Sequence, residues 1–122
     1  MMKIGGINAD DLAHEFGTPA LILDFDIFER DLQQILTAAL RVGVHVSYAA
    51  KALFLIGIAQ RLRARPIGID VSSIGELVTA ERGGIAASRI TMHGAGKTNE
   101  EIEAAFSGRV GRLVADSLYE VE

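Results

Sequence analysis

Val44, Ile67, Ile90 and Leu113 stand 23 residues apart, and each opens a short apolar run. Three positions further along come Ser47, Asp70, His93 and Asp116. A strand–helix unit that recurs at fixed length implies parallel strands joined by right-handed crossovers. Side-chain identity changes from unit to unit, so the period is structural and not a solenoid-type sequence repeat. The strands centre near Val46, Ile69, Thr91 and Val114, and Leu53–Arg65, Ile74–Arg82 and Asn99–Phe106 are expected as the helices between them. Ahead of these units, Leu21-Ile22-Leu23 is expected as a further strand after Gly17-Thr18-Pro19. Asp26 to Leu40 is expected as a helix with Phe28, Leu32, Ile35, Leu36 and Ala39 on one face.

Three helix starts match a capping box: Ser73-x-x-Glu76, Thr98-x-x-Glu101 and Ser117-x-x-Glu120. The third opens a helix that runs for about one turn before the sequence ends at Glu122. Eight units of this length exceed the 122 residues present. Four parallel strands alone would leave two edges unpaired. The expectation is therefore an α/β fold, the amino-terminal half of a (β/α)8 TIM barrel. Residues 1–122 would then be the first part of a longer protein or a truncated product.

Composition narrows the function. At 49% hydrophobic and 23% charged residues the chain is too apolar to be disordered. A net charge of −4 and scattered basic residues, Arg61, Arg63 and Arg65 apart, argue against a nucleic-acid surface. No apolar run reaches the ~18 residues of a membrane span. The start, Met1 to Gly6, lacks the apolar stretch of a secretory signal. With no cysteine there is neither a disulfide nor a thiolate metal site, which fits a reducing compartment. A soluble cytoplasmic protein without a metal centre is expected.

In a (β/α)8 barrel the chemistry sits at the carboxyl ends of the strands. The candidates there are Lys51, then Asp70 with Ser72 and Ser73, then His93, then Asp116. Ordinary capping and loop roles compete for each of them. Lys51 lies in the largely apolar Val46–Phe54 segment, where desolvation would favour the neutral amine. A neutral amine attacks an aldehyde; the competing reading is a lysine that snorkels into water. Glu76 is already accounted for by the Ser73 box. Tyr48 and His45 read as packing or barrel-lining residues, and His14 carries no signal. His93-Gly94-Ala95-Gly96-Lys97-Thr98 looks like the end of a phosphate-binding P-loop, but Thr91 stands where that motif needs its first glycine. A glycine-rich strand-to-helix turn explains the segment more simply.

The segment Tyr48-Ala49-Ala50-Lys51-Ala52 resembles the cofactor-lysine motif of the pyridoxal-phosphate-dependent decarboxylases of the alanine-racemase-like barrel fold (fold type III), and the diaminopimelate decarboxylase group in particular. Phe16-Gly17-Thr18-Pro19, Asp70 to Leu77, His93-Gly94-Ala95-Gly96-Lys97 and Asp116 to Glu120 are similar to further segments of that family, in order. The likeness covers nearly the whole chain and implies that the P-loop-like segment binds no nucleotide. It implies that Lys51 is the catalytic lysine that attaches pyridoxal 5'-phosphate, and that Asp70, Glu76 and His93 lie beside the cofactor. His93 does not match the histidine that stacks on the ring. The phosphate cradle, the partner of the pyridine nitrogen and the substrate-gripping arginine would lie beyond residue 122, as would the second half-barrel and a β-domain. A homodimer acting on a diamino or basic amino acid is implied, most closely meso-diaminopimelate going to L-lysine in lysine biosynthesis, with ornithine, arginine or carboxynorspermidine as variants. The 122-residue chain alone is expected to be inactive or nearly so. Two readings from other classes stand beside this one. They are a non-catalytic half-barrel that dimerises to cover its edges, and a nucleotide-binding domain built on Gly94–Thr98.

Overall fold

The structure, a computed structural model, describes residues 2–121. Met1 and Glu122, on which the expectations about the leader and the end of the chain partly rest, lie outside the described residues. The chain divides into two compact units, Met1–Val42 and Gly43–Glu122.

In the first unit, β1 (Lys3–Ile4) and β2 (Ile7–Asn8) form an antiparallel hairpin with Ile4 opposite Ile7. Gly5 and Gly6 turn it at φ of +57° and +80°, the left-handed backbone that a two-residue hairpin turn needs. Asn8 then caps α1 (Ala9–Phe16), its side chain accepting from the Asp10 amide at 3.3 Å. The second helix, α2 (Phe25–Val42), extends the expected helix at both ends, with Leu32 and Leu36 buried and Ile35 exposed. Asp24 stands where α2 begins. Its Oδ1 accepts from the Asp26 and Ile27 amides at 2.9 and 3.2 Å, and its Oδ2 from the Gly5 amide at 2.8 Å. The expected strand at Leu21–Leu23 is not formed, and Leu21 is 94% exposed. β-branched and apolar character makes a strand only when a neighbour completes the ladder, and no described segment pairs with this one.

In the second unit four strands lie parallel in chain order: β3 (Ser47–Ala49), β4 (Gly68–Val71), β5 (Ile90–Met92) and β6 (Arg112–Leu113). Ser47 pairs with Gly68, Ile69 with Ile90 and Thr91 with Arg112. Ladder partners are thus 21 residues apart although the apolar period is 23, so equivalent positions step along the strands as in a sheet curling toward a barrel. Ile69, Val71, Ile90 and Met92 are buried with Ile58, Ala59 and Leu62 of α3 (Ile56–Arg63) and Leu77 and Ala80 of α4 (Ile74–Arg82). Gly83 ends α4 where a β-carbon would overlap that of Ala59, so only glycine lets α4 approach α3 this closely. Beyond β5 comes α5 (Asn99–Phe106). Two helices match their expected bounds. The third, α3, is shorter than Leu53–Arg65, because Ala50–Ala52 forms a 3-10 turn before it and Pro66 follows it.

The three capping boxes fare differently. Thr98 and Glu101 form the complete reciprocal box. Ser73 accepts from the Glu76 amide, but Glu76 reaches past it to the Ser72 amide at 2.7 Å. Ser117 makes no cap; a 3-10 turn at Leu118–Glu120 replaces the expected helix start, and Glu120 is drawn elsewhere. Among the described residues no helix is long and apolar enough to cross a membrane.

Two surface carboxylates make the fold acid-sensitive. The Ile27, Gly5 and Asp26 amides hold the Asp24 carboxyl below its ordinary 3.8. The Arg109 guanidinium, bonded to both Glu81 oxygens at 2.8 and 2.9 Å, holds Glu81 below 4.5. Both carboxyls bind protons less readily folded than unfolded, so their contribution is present above the unfolded values and is lost as pH falls through the lower folded ones. Stability is expected to be level above about pH 5.5 and to fall below about pH 4.5. Asp24→Asn should flatten that acid limb in a series of thermal midpoints against pH; an unchanged limb would contradict the assignment.

Candidate active site

Lys51, Glu76, His93 and Asp116 follow the carboxyl ends of β3, β4, β5 and β6, which form one rim of the second unit, whereas Asp70 lies within β4. Lys51 lies in the 3-10 turn directly after β3 and is exposed. The desolvation expected from its apolar neighbours is therefore not met here: those neighbours turn away into packing and leave the amine in water. Tyr48 does that packing, its hydroxyl donating to the Leu53 carbonyl at 2.6 Å and its ring lying 6.1 Å from that of Phe54. Burial raises the Tyr48 hydroxyl above its ordinary value. Among the described residues Lys51 has no hydrogen-bond or ion-pair partner.

Asp70 lies within β4, half-buried, and is the ladder partner of Ala49, two residues before Lys51. Its Oδ1 accepts from the Ser47 hydroxyl at 2.6 Å. Ser47 and Asp70 are diagonal neighbours on one sheet face. That face is concave and bounds about 700 Å³ lined by His45, Ser47, Gly68, Asp70, Thr91 and Arg112, among others. Lys51, Glu76 and His93 do not line this space, which runs toward the amino ends of the strands and so away from the rim. Barrel interiors are usually filled with Val, Ile and Leu; this half-face mixes Val46, Ile67 and Val114 with the polar Ser47, Asp70, Thr91 and Arg112.

Glu76, half-buried, accepts from the Ser72 amide at 2.7 Å and the Ser72 hydroxyl at 3.2 Å. That braces the turn between β4 and α4, the structural duty the capping pattern anticipated, displaced by one residue. His93 follows β5, half-buried, and its amide donates to the Val71 carbonyl at 2.9 Å. Asp116 follows β6 and is exposed.

Lys97 is the rim residue that the sequence pattern concealed. Its side chain is only 5% exposed. Its amine donates to the Gly94 carbonyl at 2.6 Å and to Glu120 Oε2 at 3.0 Å, and lies 3.8 Å from Asp116 Oδ2. A lysine spent in this way is not extended toward a phosphate, which removes the support for a nucleotide site at Gly94–Thr98. The readable signal was the distance: Lys97 and Glu120 are one 23-residue unit apart. Among the described residues no cluster of histidines and carboxylates is arranged to hold a metal ion.

A family profile described as "Pyridoxal-dependent decarboxylase, pyridoxal binding domain" matches residues 26–122. Diaminopimelate decarboxylase of Bacillus subtilis (strain 168) is 34% identical over 122 residues, taking in 98% of this chain and 28% of the relative. The enzyme of the same name from Mycobacterium tuberculosis (strain H37Rv) is 37% identical over 119 residues, 98% of this chain and 26% of the relative. Among solved structures, diaminopimelate decarboxylase from M. jannaschii in co-complex with L-lysine matches with a TM-score of 0.85 at 29% identity, over 95% of this chain and 28% of that one. The chain thus spans a little over a quarter of the length of the relatives it matches. The sheet order and these neighbours make the fold the amino-terminal half of an alanine-racemase-like (β/α)8 barrel.

Proposed function

The chain belongs to the pyridoxal-dependent decarboxylase family, and from that premise we propose that it is the amino-terminal part of the cofactor-binding barrel of an enzyme that decarboxylates meso-diaminopimelate to L-lysine. On this reading the second half-barrel and a β-domain belong to the rest of the protein, which works as a cytoplasmic homodimer. The relatives' names support the substrate.

Pyridoxal phosphate is the cofactor of this family, and the rim fits its aldehyde end. The carrying observation is Lys51, an exposed primary amine at the carboxyl end of β3 with no partner among the described residues. Of the three lysines in the chain, Lys97 is buried and paired, and Lys3 stands in the hairpin of the other unit. Lys51 alone is placed to attach an aldehyde where barrel chemistry occurs. Bound there, the cofactor supplies an electron sink for departure of an α-carboxylate as carbon dioxide.

The chain's own residues supply attachment and orientation. The Lys51 amine is exposed and has no ion pair among the described residues to break before it meets an aldehyde. Asp70, held by the Ser47 hydroxyl, presents its carboxylate to the inner sheet face, one strand over from the strand that Lys51 follows. Glu76 braces the turn after β4 through Ser72, and the backbone amide of His93 ties the end of β5 to Val71 of β4.

The full-length protein carrying this segment is expected to release carbon dioxide from meso-diaminopimelate with kcat/KM at least about tenfold above that for ornithine or arginine, while the 122-residue chain alone releases none. Equal rates on ornithine would overturn the substrate assignment, and no release from any diamino or basic amino acid would overturn the activity.

A further inference from the structure

We infer that Lys97 is a positioning residue that locks the His93-bearing loop to the end of β6, so that the imidazole is held at the same rim as Lys51. The inference deepens the reading of this rim as the mouth of a decarboxylase barrel and rests on it.

The loop from His93 to Thr98 is fixed at both ends and needs something in the middle. At its start the His93 amide is bonded to Val71. At its end Thr98 opens α5 with a complete capping box. Between them Gly94 has φ of +125°, a backbone that side chains rarely adopt, and its carbonyl meets the Lys97 amine. Lys97 also takes Glu120, and the same Glu120 oxygen accepts from the Asp116 amide at 2.8 Å. One ammonium thereby ties the turn after β5 to the turn after β6. A charge this buried is retained only where it is paired and hydrogen-bonded, and here two acceptors take hydrogen bonds from the ammonium while the Asp116 carboxylate adds a longer ion-pair contact at 3.8 Å. The Asp116 amide and the Lys97 ammonium together hold the Glu120 carboxyl below its ordinary value. Glu120 thus stays charged where the expected capping box would have used it to brace a helix start. Removing the ammonium leaves Gly94 free to rotate next to His93.

The test uses the full-length protein without cofactor, labelled at histidine ring carbons, with the His93 resonance assigned from His93→Gln. Lys97→Met is expected to shift and broaden the His93 resonance and leave those of His14 and His45 in place. Glu120→Gln should shift it in the same direction by less. Glu81→Gln, which breaks a surface pair away from the rim, should not move it. With cofactor, Lys97→Met is expected to lower kcat about tenfold with KM within about twofold. A folded Lys97→Met protein with an unmoved His93 resonance overturns the inference. If Lys97→Met does not fold, Glu120→Gln decides by the same criterion. The resonance is read without cofactor, so a failure of the decarboxylase reading, seen as full activity in Lys51→Ala, is distinguishable from a failure of the clamp.

Discussion

Lys51→Ala in the full-length protein is expected to lose covalent attachment of pyridoxal phosphate and to lower kcat on the order of a thousandfold or more, at least ~4 kcal/mol of transition-state stabilisation. The magnitude follows from what the rim offers. Lys51 is the one amine of the second unit left unspent, since Lys97 is committed to Gly94 and Glu120. No neighbouring group can take its place, and water cannot form the carbon–nitrogen bond. Lys51→Arg should fail equally, because a guanidinium stays protonated and cannot attack an aldehyde. The visible absorbance of bound cofactor, followed through gel filtration, is the readout. An absorbance that co-elutes with Lys51→Ala and is unchanged from the parent would contradict the assignment.

Arg89→Met is expected to destabilise the second unit by about 3 kcal/mol. The Arg89 guanidinium, half-buried just before β5, donates to the carbonyls of Leu62, Arg63, Arg65 and Ile67 at 2.6 to 2.9 Å. These carbonyls end α3 and lead into β4, where the helix dipole favours a cation. Each charge-assisted bond contributes ~1.5–3 kcal/mol alone, but the five share one group and do not add. Methionine fills much of the volume and supplies no donor. Hydrogen exchange of the Leu62–Arg65, Ile67 and Gly68 amides is expected to speed up by about a hundredfold. Arg89→Lys should recover little of this, because a point charge cannot reach four carbonyls as a planar fork does. Exchange unchanged within about threefold in Arg89→Met would show that the fork is incidental.

Much of the second unit was legible because its determinants are local and periodic. The apolar runs 23 residues apart become β3 to β6, and α4 and α5 start where Ser73 and Thr98 mark them. Legibility ended where a segment depends on a partner. Leu21–Leu23 reads as a strand by composition, yet its backbone has no ladder to join. Ser117-x-x-Glu120 reads as a capping box, yet Glu120 is captured by Lys97 and the Asp116 amide, both set by tertiary structure. The β1–β2 hairpin was missed although Gly5-Gly6 between two isoleucines is a direct signal for a two-residue turn. At the rim, the positions of Lys51, Asp70, Glu76 and His93 follow from the strand period, but their environments do not. The apolar run around Lys51 describes what Tyr48 and Phe54 pack against, not where the amine points. The side-chain bond from Ser47 to Asp70 depends on the ladder register, which a sequence period does not fix.

The most direct measurement is borohydride reduction of the full-length protein loaded with pyridoxal phosphate, followed by digestion and mass mapping. Reduction makes the bond between a lysine amine and the cofactor's aldehyde carbon permanent, so the label reports the attachment site itself. The account predicts the added mass on the peptide carrying Lys51 and on no other. Label on the Lys97 peptide, on a lysine beyond this chain, or on none would contradict it.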